Sequence, residues 1–150
     1  MISRRTLQSG MTLVELLIVI TIIGVLSTII LSSVSTSRAR AYDSKIKQQL
    51  SSFRAAAEIY FNNQIPNNYG PAVSICNAGM FADNTEANGR PAVYIDPINL
   101  PTYAIVACST NGEFYAVKAS LYSGTDYWCV DNQGRSKMYS GSVTASVSCE

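Results

Sequence analysis

An unbroken apolar run near the N-terminus constrains this chain more than any other feature. Residues 11–31 contain a single charged side chain, that of Glu15, and they follow a short leader that carries Arg4 and Arg5. A helix of about 20 residues spans about 30 Å, the thickness of the hydrocarbon core of a bilayer. A carboxylate inside such a segment costs about 3 kcal/mol on insertion scales, so charged residues there are usually functional. The sequence therefore predicts a membrane-spanning helix with a functional glutamate.

The residues of this segment leave two other interpretations open. A secretory signal peptide would combine Arg4 and Arg5 with an apolar core and a small-residue cleavage site such as residues 33–35. Such a core is typically about 7–15 residues long, which is shorter than residues 11–31. A glutamate also has no use in a segment that is discarded. A plain single-span anchor would need only the length and the apolar character.

The junction between leader and apolar run resembles the N-terminus of type IV pilins and of their relatives, the pseudopilins of type II secretion and competence systems. The matching features are a basic leader that ends in Gly10, Met11 directly after it, and Glu15 as the fifth residue counted from Met11. In that family a membrane-embedded aspartyl peptidase cleaves after the glycine and usually methylates the new N-terminus. The resemblance thus implies cleavage between Gly10 and Met11 and N-methylation of Met11.

Two positions depart from the family pattern. The first mature residue is usually phenylalanine and here is Met11, and Ser32 stands near the place where many pilins carry a helix-breaking proline. The rest of the pattern implies that copies of the chain bundle their apolar helices into a filament, with Glu15 paired to the Met11 ammonium of a neighbour. The implied partners are the prepilin peptidase, the pilus assembly platform, the membrane before assembly and other copies of the chain.

Beyond the apolar run, the sequence predicts a continuation of the same helix. Apolar residues recur at steps of three and four, which is typical of an amphipathic helix. They are Ala39, Tyr42, Ile46, Leu50, Phe53, Ala57 and Tyr60. No glycine or proline occurs from residue 25 to residue 64, so one helix from about Thr12 to about Asn62 is expected. Asp43 and Lys47 are spaced for an ion pair on its polar face.

The remainder of the chain is predicted to be loop followed by β-sheet. Turn-forming residues occupy 62–71, and residues 72–102 are irregular apart from a short helical turn near 78–83. Four strands are then expected at 103–108, 114–119, 127–130 and 136–139. Asn111 and Gly112 predict a two-residue hairpin turn between the first two strands, and Gly134 is the expected left-handed residue of a second hairpin.

These elements predict an α+β fold of the pilin-like kind. A long N-terminal helix, membrane-spanning in its first half and amphipathic in its second, packs on a C-terminal antiparallel sheet of about four strands. The expected organisation is a prepilin leader at 1–10, a hydrophobic transmembrane and assembly helix at 11–35, and an exported globular domain at 36–150. Because the leader is basic, the positive-inside rule places it in the cytoplasm and the globular domain outside.

Four cysteines occur in the exported half of the chain: Cys76, Cys108, Cys129 and Cys149. Their even number, the absence of a C-x-x-C pair and the absence of histidine favour disulfides over a zinc site. Four cysteines allow three pairings, and spacing does not choose among them. Pilins often close a C-terminal loop by a disulfide, so the resemblance implies Cys129 with Cys149, which leaves Cys76 with Cys108.

The composition argues against several classes of function. Without histidine there is no Ser-His or Cys-His nucleophile, and no phosphate-binding or cofactor motif occurs. After removal of the leader, 9 basic and 10 acidic side chains remain, which gives no basic footprint for nucleic acid. Asp126 and Asp131 flank a predicted strand, and their spacing matches no calcium loop.

We therefore expect a structural subunit that is not an enzyme and that has no cofactor or metal. The filament classes of major pilin, minor pilin and pseudopilin all fit the sequence equally. An alternative from a different class is a single-span, membrane-anchored extracellular binding module that does not polymerise.

Overall fold

The structure, a computed structural model, describes residues 10–150, apart from the side chains of residues 31–33. The predicted α+β class is confirmed: a long N-terminal helix precedes a four-stranded antiparallel sheet in a pilin-like arrangement. The chain divides into two compact units between Arg38 and Ala39. The predicted leader, including Arg4 and Arg5, lies outside the described residues except for Gly10.

The elements follow one another in a simple order. Helix α1 (Leu13–Asn63) is followed by two short 3₁₀ helices, Gly79–Ala82 and Glu86–Asn88, and by a short helix α2 (Pro91–Ile95). The strands are β1 (Val106–Thr110), β2 (Tyr115–Ser120), β3 (Asp126–Asp131) and β4 (Ser136–Ser140). They pair in sequence order as an antiparallel meander. The predicted helical turn near 78–83 is present, whereas α2, which starts at a proline, was not predicted.

The first part of α1 is apolar on all sides. By length and composition, the helix is long and apolar enough to cross a membrane. The hydroxyls of Thr21, Ser27 and Thr28 donate to the carbonyls of Ile18, Ile23 and Gly24 at 2.7–3.0 Å. These polar side chains are therefore satisfied by their own helix and need no partner in an apolar environment.

In the C-terminal unit, the second part of α1 supplies one side of the core. Five residues of the predicted stripe are buried: Ile46, Leu50, Phe53, Ala57 and Tyr60. They belong to one cluster with Tyr115, Val117 and Val130 of the sheet. The rings of Phe53 and Tyr115 meet edge to face, with 5.7 Å between their centroids. Tyr42, at the start of the stripe, is exposed instead.

The first hairpin differs from the two-residue turn that Asn111 and Gly112 predicted. Thr110 pairs with Tyr115, so four residues connect β1 to β2. The Asn111 side-chain oxygen accepts hydrogen bonds from the backbone N–H groups of Glu113 and Phe114, at 3.0 and 2.7 Å. The Asn111 backbone N–H still donates to the Phe114 carbonyl at 3.1 Å, so the side chain replaces only the return hydrogen bond from Phe114. In the second hairpin, Gly134 is left-handed as predicted, with φ of +86°.

The predicted ion pair between Asp43 and Lys47 is wrong. Asp43 accepts a hydrogen bond from the backbone N–H of Tyr122 at 2.8 Å. The Lys47 ammonium lies 4.7 Å from the centroid of the Trp128 ring. Both side chains thus contact the β2–β3 connection or the sheet, because contacts across the fold replace a weak pair on the helix surface.

Candidate processing and assembly site

The peptide bond between Gly10 and Met11 lies immediately before α1. Residues 10–12 are not helical, and both Gly10 and Met11 are exposed. A Cβ added to Gly10 would find no atom within 4 Å in the described structure. The bond therefore stands in non-helical, accessible backbone, the kind of segment in which proteases cleave.

Glu15 lies in the first turn of α1, where it forms a capping box with Thr12. The Glu15 Oε2 atom accepts hydrogen bonds from the Thr12 backbone N–H at 2.8 Å and from the Thr12 hydroxyl at 2.9 Å. In return, the Glu15 backbone N–H donates to the Thr12 hydroxyl oxygen at 3.2 Å. Two of the backbone donors at the helix N-terminus are satisfied by this reciprocal arrangement.

Among the described residues, the charge of Glu15 has no counter-ion. Oε1 accepts no hydrogen bond from the described residues, and no other charged side chain occurs in residues 11–37. The two hydrogen bonds and the positive end of the helix dipole stabilise the carboxylate but do not neutralise it. Only a cation from outside the described residues could supply this charge.

The structure joins the four cysteines as Cys76–Cys108 and Cys129–Cys149, the pairs that the resemblance implied. The first disulfide fastens the loop after α1 to β1, and the second fastens the C-terminal segment to β3. No free cysteine is found in the part of the chain that the structure describes. The C-terminal unit is thus cross-linked on both sides of β2.

Asp131 has a role that the sequence did not reveal. Its side chain is completely buried and accepts hydrogen bonds from the backbone N–H groups of Gln133, Arg135 and Cys149 at 2.9–3.1 Å. The Arg135 guanidinium lies 3.4 Å from Oδ2. Asp131 therefore connects the second hairpin to the C-terminal segment, beside the Cys129–Cys149 disulfide.

Asp126, the other carboxylate considered for calcium, accepts hydrogen bonds from the hydroxyls of Ser140 and Ser123, at 2.8 and 3.3 Å. Each of the two aspartates thus accepts hydrogen bonds from neighbouring groups of the protein. Among the described residues, no group of three or more histidine, cysteine or acidic side chains is arranged to hold a metal ion.

Comparison with known proteins gives a match for the N-terminal segment. Residues 5–31 match the family model described as the prokaryotic N-terminal methylation motif. The match includes Gly10, Met11 and Glu15 and ends before the C-terminal unit. No curated protein and no solved structure gives a significant match. The chain therefore carries the leader motif of type IV prepilin-type proteins.

Proposed function

We propose that this chain is the precursor of a structural subunit of a type IV pilus or a pilus-like pseudopilus. It is processed between Gly10 and Met11 by a prepilin peptidase, which also methylates Met11, and it assembles through the apolar part of α1. The observation that carries this proposal is the match of residues 5–31 to the N-terminal methylation motif. A pilin-type precursor of this kind is a structural subunit rather than an enzyme.

Glu15 is the residue that couples processing to assembly. Before cleavage, the Met11 nitrogen is part of a peptide bond, and Thr12 supplies the hydrogen bonds to the Glu15 carboxylate. After cleavage, Met11 carries an ammonium group that can pair with Glu15 of a neighbouring subunit. At a separation of about 4 Å and an effective dielectric constant of about 20, such a pair gains about 4 kcal/mol before desolvation is subtracted. Because it forms at a single position of each helix, the pair also sets the register between subunits.

The exposed apolar surface of α1 explains why the helix would be found first in a membrane and then in a bundle. In the described residues 13–30, every large apolar side chain is exposed. Lipid tails are as apolar as leucine side chains, so this surface is stable inside a bilayer. The precursor can therefore remain in the membrane as a single-span protein. Once a subunit leaves the bilayer, each square ångström left in water would cost about 25 cal/mol. Neighbouring helices would then have to replace the lipid.

The proposed location follows from the same segment. The precursor spans the inner or cytoplasmic membrane once, and the C-terminal unit is exported as part of an extracellular or periplasmic filament. Two disulfides in that unit fit an oxidising compartment. The described residues also include a complete core between helix and sheet, which would support the alternative of a monomeric anchored binding module.

Shearing of cells that produce the protein distinguishes the two functions. A filament subunit is expected in the sheared, sedimenting fraction, and the filaments seen by electron microscopy are expected to disappear on deletion and to return on complementation. A binding module would stay in the membrane fraction as a monomer. Wild-type protein that is absent from every sheared filament would contradict the proposal.

A further inference from the structure

An apolar groove is open in the loop region that precedes the sheet. It encloses about 500 Å³ and is bounded by residues between Cys76 and Val106. Its floor includes Phe81 and Ile95, which belong to the core of the C-terminal unit. Two exposed isoleucines are direct neighbours of lining residues in the sequence. Ile98 is 87% exposed and follows Pro97, and Ile105 is 66% exposed and lies between Ala104 and Val106. An apolar groove whose lining segments also carry exposed isoleucines is typical of a surface that binds another protein.

The polar residues of this groove are available to a partner. Asn77, Asn84 and Asp96 contribute to its lining. The structure shows no hydrogen bond to the side chain of Asn77 or Asn84 within the described residues. Asp96 uses one oxygen for the backbone N–H of Ile98, at 2.9 Å. The groove thus combines an apolar floor with free carboxamides and one carboxylate.

A second surface of the same unit presents a protruding apolar side chain, which could fill such a groove. Ile65 follows α1 and is 99% exposed, the largest exposed fraction among the large apolar side chains that the structure describes. The residues around it in sequence are uncharged, and five of them carry carboxamides: Asn62, Asn63, Gln64, Asn67 and Asn68.

The loop that presents Ile65 is held in place by several hydrogen bonds. The Asn63 side chain donates to the carbonyl of Ala87. The backbone N–H of Tyr69 donates to the carbonyl of Gly112 at 2.8 Å. The backbone N–H of Gly70 donates to the Asn68 side chain at 2.7 Å. A side chain presented on a fixed loop loses little conformational freedom when it binds.

We propose that Ile65 of one copy of the chain inserts into this groove on another copy. Both surfaces have an apolar centre and a polar border with little charge, so they can approach without desolvating a charged pair. The two surfaces share no residue, which makes the contact heterologous, and heterologous contacts that do not close into a ring produce open helical filaments. The inference rests on the proposed function, because it supplies a contact between C-terminal units in addition to the helix bundle.

A photo-cross-linking amino acid at position 65 tests the contact directly in the full-length chain. Cells that produce the chain with p-benzoylphenylalanine in place of Ile65 are irradiated. Cross-linked dimers from the sheared fraction are then mapped by mass spectrometry. We expect dimers joined from residue 65 to residues 76–106. Cross-links to another part of the chain, cross-links to a different protein, or no dimer at all would overturn the inference, provided that wild-type filaments form. Absence of wild-type filaments would overturn the proposed function and the inference together.

Substitutions give a second, independent measurement. Burial of an isoleucine side chain changes an association constant by about tenfold or more, so Ile65→Gln is expected to lower the amount of sheared filament by a similar factor. Ala82→Phe, which fills the groove from an exposed lining position, is expected to have the same effect. Met138→Gln removes an exposed apolar side chain from β4, outside both surfaces, and serves as the control. Equal filament yields in all three variants would refute the contact.

Discussion

At the scale of single residues, Glu15 has a local role in the structure and a proposed role between molecules. Its Oε2 atom completes the capping box with Thr12, whereas Oε1 accepts no hydrogen bond from the described residues. A capping contact contributes about 1 kcal/mol to a helix, and other side chains can replace it. The charge of the carboxylate, in contrast, can be neutralised by no other side chain in residues 11–37, because none of them is charged. The two roles can therefore be separated by mutation.

Glu15→Ala is expected to abolish filaments and to leave cleavage and membrane insertion intact. Loss of a charge from an apolar span favours residence in the bilayer, so the processed protein should accumulate there. Immunoblots of membrane and sheared fractions, together with electron microscopy, measure each step. Normal filaments from Glu15→Ala would show that the ion pair is not needed for assembly.

Thr12→Val provides the matched comparison for the capping box. Valine keeps the size of threonine but lacks the hydroxyl that donates to Glu15 Oε2 and accepts from the Glu15 N–H. The loss is expected to cost about 1 kcal/mol in the first turn of α1 and to leave filaments in place. The same fractionation and microscopy apply. A loss of filaments as complete as that of Glu15→Ala would mean that the Thr12 hydroxyl, and not the charge alone, carries the assembly role.

At the scale of secondary-structure elements, most of the fold could be predicted because apolar periodicity dominates it. The apolar run, the steps of three and four after it and the absence of glycine and proline predicted the bounds of α1 within one residue at each end, at Leu13 and Asn63. The first three strands were also found from their aromatic and β-branched residues, and the fourth from the turn residues of the second hairpin. The prediction failed where a side chain accepts a backbone hydrogen bond in place of the partner that the pattern indicates. The Asn111 side chain sets a four-residue turn, and Asp43 bonds Tyr122 instead of Lys47.

The candidate site could likewise be predicted from the sequence only in part. Gly10, Met11 and Glu15 were recognisable because their spacing is a local pattern. The role of Asp131 was not, since it depends on Cys149, which is distant in sequence and close in the fold. A carboxylate after a strand has many ordinary explanations, and nothing in the sequence indicates complete burial.

Asp131→Asn is expected to destabilise the C-terminal unit. An asparagine would present one amide NH₂ in place of an oxygen, so at least one buried donor near it would lose its acceptor, at a cost of about 1–3 kcal/mol. The free energy of unfolding, measured by urea denaturation of the oxidised full-length protein in detergent, reports this loss. Asp126→Asn, at a half-buried position with hydroxyl partners, is the control and is expected to change the value by less than about 0.5 kcal/mol. Equal stability of the two variants would show that Asp131 is not a structural anchor.

The disulfide pairing gives a further test of how these elements are connected. Non-reducing peptide mapping of the exported protein is expected to yield Cys76 with Cys108 and Cys129 with Cys149. Since the closed segments span separations of 32 and 20 residues, loss of either bridge should lower the free energy of unfolding by about 3 kcal/mol. A peptide that joins Cys108 to Cys129, or alkylation of all four thiols without prior reduction, would contradict the structure.

At the scale of the whole molecule, the chain combines two units of opposite character. The N-terminal unit exposes apolar side chains on all sides of α1, whereas the C-terminal unit has a buried apolar core between helix and sheet and leaves only some side chains, such as Ile65, in solvent. A protein of this kind can be stored in a membrane through one unit and presented outside through the other. In the proposed function, processing at the leader motif would convert the membrane form into a subunit, because cleavage would create an ammonium at Met11 that can pair with Glu15.

Intact mass and N-terminal sequence of the exported protein test the central claim most directly. We expect a chain that begins at Met11 and carries one added methyl group on its N-terminus. In the Gly10→Val variant, we expect only uncleaved precursor, because the residue before the cleaved bond is then branched and bulky. A mature chain that begins near Thr36 would identify a conventional signal peptide and contradict the account, as would an uncut chain in wild-type filaments.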